Sequence, residues 1–330
     1  MLEISSLKTL ENKKNLLAFS AGVDSTALFF LLLNDSIKFD IAIVNYGQRN
    51  QAVEEVAYAK ELASTYNLKC HTFIAKKIDK NFESTARNIR YNFFEELITT
   101  YNYDNLLTAH HLGDRFEWML MQFCKGAGCA ELAGMREKEQ REFYTLIRPL
   151  LRLDKQELYS YLKANNIKYF EDNSNLDEDI TRNSFRHNHA SPLLDKYLDG
   201  IKKSFAYLDE DKAMLTPEVI IKNIDEFSYF AKQKTKRADI FTIDKLLKSK
   251  KYMLSFKERE LLKNKNTLIV GRKFIVNINE YFIFIVPYLD ANLKMNHKFK
   301  EECRVLKIEP KLRPFLYANE IVFEKVKELF

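Results

Sequence analysis

Short, mostly apolar stretches at Leu16–Phe19, Phe39–Val44, Leu68–Ile74 and Asn105–Ala109 are strand candidates, Leu16–Phe19 being the run expected of a buried strand. Between them run stretches with apolar positions three and four apart, which predict helices over 26–33, 51–66, 84–101, 112–125 and 154–165. Strands alternating with helices predict an α/β fold with a doubly wound parallel sheet covered on both faces. Ligands of such sheets sit at the carboxyl ends of the strands. After about residue 200 the alternation fades. Residues 201–265 read as polar and helical, including 241–249 and 255–263. Residues 267–271, 273–279 and 281–286 then read as a small antiparallel sheet turning at Asn279-Glu280. This predicts two domains, 1–200 and a smaller α+β domain 201–330, with a boundary near 195–205. The longest apolar run, Ala27 to Leu33, is far too short to cross a bilayer.

The first strand breaks into the first of these helices through Ser20, Ala21, Gly22, Val23, Asp24 and Ser25. A strand–turn–helix corner of small residues aims several backbone N–H groups at one point, and the helix dipole favours an anion there. Hydroxyls of Ser20, Ser25 and Thr26 add donors, and Asp24 can hold the magnesium that accompanies a nucleotide. The competing reading is a plain capped corner in which Gly22 eases the turn. Farther on, His110, Asp114 and Glu117 follow the fourth strand, with the two carboxylates on one face of the next helix. Such a pair can hold magnesium or an ammonium group; a solvated helix face is the alternative. His111 reads as a hydrogen-bonded scaffold residue.

The 20–25 turn resembles the Ser-Gly-Gly-x-Asp-Ser signature of the PP-loop ATP pyrophosphatases, with Ala21 at the first glycine. A longer ordered series narrows the likeness. Thr108-Ala-His-His-Leu-Gly-Asp-Arg-Phe-Glu117, Leu132-Ala-Gly-Met135, Arg148-Pro-Leu-Leu151, Glu171-Asp-Asn-Ser-Asn175 and Thr181-Arg-Asn-Ser-Phe-Arg-His187 resemble segments of the tRNA(Ile)-lysidine synthetase family. The chain departs from the pattern at Ala21, at Ile43 and Tyr46 where histidines are common, at Gly113 where an acidic residue is usual, and at Trp118 where a threonine is usual. The resemblance covers residues 15 to about 195.

That resemblance implies an ATP-dependent ligase, using ATP and Mg2+, that adenylates C2 of the wobble cytidine in the CAU anticodon of tRNA(Ile). Free L-lysine then displaces AMP to give lysidine, changing methionine to isoleucine identity. By the same resemblance Ser20 to Ser25 and His110 bind ATP, Asp24 and Asp114 hold metal, and Glu117 and Arg87 bind lysine. Asp24, Asp114, Glu117, Arg87 and Arg182 serve catalysis. Arg182 and Arg186 are the better phosphate or RNA contacts, while Asp172, Ser174 and Asn175 build the turn before them or cap it. For Arg87 and Arg90, three apart on a helix, a surface salt bridge is the competing reading.

Composition alters this picture in two places. Residues 200–330 carry 27 Lys+Arg against 18 Asp+Glu, a net of +9, within a chain of net +6. That excess points to a docked polyanion or simply to solvated helices. The four cysteines (Cys70, Cys124, Cys129 and Cys303) form no Cys-x-x-Cys pair and read as reduced, buried thiols of a cytosolic protein. Their spacing counts against a tRNA thiolase, which needs catalytic cysteines or an iron–sulfur centre. A small-molecule amidating ligase and a non-catalytic tRNA-binding module are the other rivals. The sequence leaves the oligomeric state open, a homodimer included.

Overall fold

The computed structural model describes residues 4–47, 51–76, 78, 80–171, 181–216, 219–289 and 293–330. They form two compact units, Met1–Glu210 and Asp211–Phe330.

The first unit runs α1 (Ile4–Leu10), β1 (Asn15–Ala18), α2 (Val23–Asn34), β2 (Phe39–Asn45), α3 (Gln51–Thr65), β3 (Cys70–Ile74), α4 (Phe82–Tyr101) and β4 (Asn105–Leu107). It continues with α5 (Leu112–Phe123), α6 (Cys129–Leu132), β5 (Lys138–Gln140), β6 (Thr145–Ile147), α7 (Lys155–Ala164) and α8 (Thr181–Phe185). A π-helical turn (Arg186–Ala190) leads into α9 (Ser191–Leu215). The sheet order is β3-β2-β1-β4-β6-β5, parallel except for β5 at one edge. Two-residue periodicity sorts its side chains. Leu16, Ala42, Leu106 and Leu146 pack against Phe93, Phe94, Leu97 and Ile98 of α4. Leu17, Ile41, Ile43, Leu107 and Ile147 pack with α2, α3 and α7 on the other face. The central strands β1, β2, β4 and β6 are buried on both faces and largely apolar, as in a doubly wound arrangement. The edge strands β3 (His71, Thr72, exposed Ile74) and β5 (Lys138–Gln140) are partly exposed and carry polar residues. The strand order reverses between β1 and β4, so a crevice opens beyond their carboxyl ends.

In the second unit β7 (Lys222–Ile224) and β8 (Phe227–Ala231) precede α10 (Lys236–Ser249) and α11 (Phe256–Asn264). Then come β9 (Thr267–Val270), β10 (Phe274–Ile278), β11 (Phe282–Pro287), α12 (His297–Val305), α13 (Arg313–Ala318), α14 (Glu320–Val326) and a closing 3-10 turn (Lys327–Leu329). Its antiparallel sheet has the order β7-β8-β11-β10-β9. Phe227, Ile275, Phe284 and Val286 meet α12 to α14, whereas Phe230, Val276, Ile283 and Ile285 meet α10 and α11.

One expectation needs correction. Residues 222–231 are strands rather than helix. Phe227, Ser228 and Phe230 are fully buried there by pairing of 228–231 with β11 and by helices on both faces, long-range contacts no local pattern reveals. The stretch 195–205 lies inside α9, which continues to Leu215. Asp172, Ser174 and Asn175 lie outside the described residues.

Candidate active site

The Ser20–Ser25 turn is held by its own serines. Ser20 N–H donates to Ser25 Oγ at 3.2 Å, the Ser25 hydroxyl donates to the Gly22 carbonyl at 3.2 Å, and the two hydroxyls lie 3.1 Å apart. The Phe170 N–H donates to the Ala21 carbonyl at 2.9 Å, tying the turn to the segment after α7. Ala21 has φ +58°, the left-handed region in which glycine carries no Cβ penalty, so the residue usual at this position suits the backbone better than alanine does. Gly22, extended at φ −76°, sits at the N-cap of α2 with no side-chain cap, so the helix's leading N–H groups have no capping side chain.

A second arm comes from the end of β4. His110 Nδ1 pairs with Thr108 Oγ1 at 2.9 Å, and burial pushes the imidazole pKa down to about 4, so His110 is neutral at neutral pH. His111 caps α5. Its Nδ1 accepts the Gly113 N–H at 3.0 Å, while the His111 N–H donates to Asp114 Oδ2 at 3.1 Å, a reciprocal capping box. Its Nε2 lies 3.8 Å from Asp24 Oδ2 and 3.7 Å from Asp114 Oδ2. A Cβ on residue 113 would stand 2.7 Å from His111 Cε1, so Gly113 is what makes room for this pose.

The carboxylates differ in environment. Burial raises the Asp24 pKa above the ordinary value, against opposing pulls from His111 and Lys155, and its Oδ1 is buried without a hydrogen-bond partner. Burial also opposes the Asp114 charge, yet His111, His110 and Arg182, with the His111 N–H, outweigh it and hold that carboxyl well below the usual range. Glu117, with 3% of its side chain exposed, accepts from Arg182 Nε at 3.1 Å and from Arg186 Nε at 2.5 Å and Nη2 at 3.1 Å. Arg182 Nη2 also donates to Asp114 Oδ1 at 2.7 Å. Both arginines leave the α8–π segment on one side, which lets them grip one carboxylate pair together. Burial would lower the Arg186 pKa, but the Glu117 bond wins and raises it.

Ser20, Gly22, Asp24, Ser25, His110 and Asp114 line one cleft of about 220 Å³. Glu117, Arg182 and Arg186 join it through Asp114. Arg87 stands elsewhere, exposed, with its guanidinium 4.8 Å from the Tyr91 ring centre. Arg90 lines the cleft instead, with Tyr46, Tyr91 and Phe94. The sequence holds a signal for this, since Ala86, Arg90 and Phe94 recur every four residues and Ala86 and Phe94 are buried. A larger open groove of about 940 Å³ lies in the second unit, lined by residues such as Lys298, Glu301, Val305 and Lys327. It has no counterpart of the Ser20–Ser25 turn, and its carboxylate–arginine pair, Glu301 with Arg304, is exposed.

A PP-loop domain family matches residues 2–192. The tRNA(Ile)-lysidine synthase of Helicobacter pylori is 43% identical over 95% of this chain and 92% of its own length. That of Wolinella succinogenes is 42% identical over 97% and 98%, and that of Campylobacter jejuni is 41% identical over 96% of each. Among solved structures, a U34-tRNA thiolase from Methanococcus maripaludis superposes with a TM-score of 0.54 at 18% identity, covering 67% of this chain and 78% of that one. Its likeness is one of fold. The ordered motifs, the cleft at the strand reversal and near-full-length relatives above 40% identity converge: this chain belongs to the tRNA(Ile)-lysidine synthase family.

Proposed function

We propose that the chain is an ATP-dependent ligase that adenylates the wobble cytidine of a CAU-anticodon tRNA(Ile) and joins free L-lysine to its C2. The observation that carries this reading is the meeting of the Ser20–Ser25 turn with Asp114 in one cleft, Glu117 being linked to it through shared arginines. One arm suits a triphosphate and the other a cationic nucleophile. The cytidine O2 attacks the α-phosphorus and pyrophosphate leaves. The lysine ε-nitrogen then attacks C2, its proton is released, and AMP leaves with the O2 electron pair.

Charge accumulating on pyrophosphate is met by the turn's N–H groups and the Ser20 and Ser25 hydroxyls. Asp24 and Asp114 fit Mg2+, since Asp24 Oδ1 is a buried acceptor without a partner and magnesium takes one or two carboxylates plus phosphates. Bound there, the ion would neutralise phosphate charge. Asp114, held ionised far into acid, is an electrostatic anchor and a poor proton acceptor. Lysine has a reference pKa of about 10.4 and must lose a proton before attacking. For its ammonium to meet Glu117, the hold of Arg182 or Arg186 must loosen, which leaves a guanidinium free for a tRNA phosphate. Arg90, rather than Arg87, is the arginine we assign to the cleft.

Residues 200–330, at net +9, supply sequence-independent phosphate contacts in this reading, and the first unit supplies chemistry. Among the described residues no helix is long and apolar enough to cross a membrane, and we place the protein in the cytoplasm. Identity above 40% over nearly the whole chain favours this function over thiolation. The test is AMP and pyrophosphate release with ATP, lysine and a CAU-anticodon transcript. Release that does not depend on lysine and this tRNA would refute the proposal.

A further inference from the structure

The open face of α5 is a stripe leading away from the reacting centre. Asp114, Trp118 and Gln122 follow at four-residue spacing, whereas Leu112, Gly113, Arg115, Phe116 and Glu117 are buried. Trp118 is 46% exposed, one turn or about 6 Å of helix rise beyond Asp114. Side chains on a helix lean toward its N-terminus, the end at which Asp114 lies. The ring is also pinned. Gly134 sits beside it at φ +62°, and a Cβ there would stand 3.0 Å from Trp118 Cδ1. A large ring braced against backbone with nearly half its surface open is a preformed platform, because ordering it on binding costs little side-chain entropy.

We propose that Trp118 is a stacking platform for an anticodon-loop base next to the reacting cytidine, and so a determinant of tRNA affinity. The proposal rests on the functional reading above. A cytidine whose C2 is to be attacked must leave its stack, and its neighbours then need new stacking surfaces, which proteins supply with aromatic rings.

Trp118 is the only tryptophan in the sequence, so tryptophan emission reports on this ring alone. Titrating the full-length protein with the CAU-anticodon tRNA(Ile) transcript should quench or shift that emission saturably, at the concentrations where a gel-shift shows binding. Trp118→Ala should raise the tRNA Kd and KM by roughly 5- to 150-fold, the span of one base-stacking contact. ATP affinity and melting temperature should stay near those of the parent. Trp118→Phe should recover most of the loss. Unchanged emission with tRNA demonstrably bound, unchanged tRNA KM in Trp118→Ala, or Trp118→Phe no better than Trp118→Ala would each overturn the proposal. An emission change that follows protein concentration without RNA would also overturn it, making the ring a contact between copies. Lysidine formation by the parent protein is assayed alongside. Its absence would sink the functional reading, while emission and gel-shift still decide whether the ring meets RNA.

Discussion

Replacing Glu117 by glutamine keeps the side chain's shape and removes its charge. In the parent, three donor contacts reach the two carboxylate oxygens, from Arg182 Nε, Arg186 Nε and Arg186 Nη2, at 2.5–3.1 Å. A carboxamide offers one accepting oxygen and turns its NH2 toward guanidinium donors, so at least one contact becomes donor against donor. Breaking a fully buried ion pair costs about 3–5 kcal/mol. The cost here is smaller. Arg182 is 38% exposed and keeps Asp114 at 2.7 Å, and Arg186 is 20% exposed with Asp114 at 3.7 Å. We therefore expect about 1.5–3 kcal/mol. For a unit of this size that lowers the melting temperature by roughly 3–10 °C. Thermal unfolding of Glu117→Gln, Arg186→Met and the double variant measures the coupling directly, and the double should cost clearly less than the sum. Kinetically, Glu117→Gln should raise the lysine requirement far more than the ATP requirement. An unchanged melting temperature with strict additivity would refute the ion-pair reasoning, and equal effects on both substrates would refute the lysine role.

Asp24→Ala should abolish AMP formation while the protein melts normally; near-normal AMP release from the folded variant would contradict its place in the nucleotide site. Gly113→Ala should push His111 off its capping pose at a cost of about 1–3 kcal/mol, read by chemical denaturation, and an unchanged midpoint would show that the ring has room to spare. His110 has a folded pKa of about 4 against an unfolded value near 6.5, so between these the unfolded chain binds more protons. Its contribution, at most about 3 kcal/mol, is complete above pH 6.5 and is lost as pH falls toward 4. His110→Asn should flatten that limb of the stability–pH curve, and an identical limb would assign the acid sensitivity elsewhere.

The first unit was legible because its signals are local. Buried parallel strands are largely apolar, so Leu16–Phe19 and Phe39–Val44 stand out, and the Ser20–Ser25 corner bears small residues for a backbone reason. What escaped depends on contacts distant in sequence. β5 and β6 are three residues each and owe their existence to pairing with β4 and with one another. β8 is buried because β11 pairs beside it and helices from α10 to α14 cover its two faces. Spacing put Asp114 and Glu117 on one face, but nothing local showed Arg182 and Arg186 folding back across some 65 residues to reach them. Arg87 and Arg90 look equivalent in the string; the burial of Ala86 and Phe94 separates them.

Arg115 lies between Asp114 and Glu117 on α5 and points into the protein. Its guanidinium donates to the Ala133 carbonyl and to both oxygens of Asp209 on α9, with the Phe205 ring 4.3 Å away. The same stretch of chain, from Arg182 to Asp209, thus grips α5 on two sides, like a spindle between two jaws. Rolling α5 about its axis would tear one grip or the other, so the heading of the carboxylates is set by the length of that stretch. One residue added or removed turns everything beyond it by about 100°. The π-helical turn at 186–190 and the break at Tyr197 (φ −130°, ψ 27°) are where this stretch departs from regular α-helix. Between Arg186 and Asp209, substitutions on the outer surface should therefore be tolerated where single-residue insertions and deletions are not.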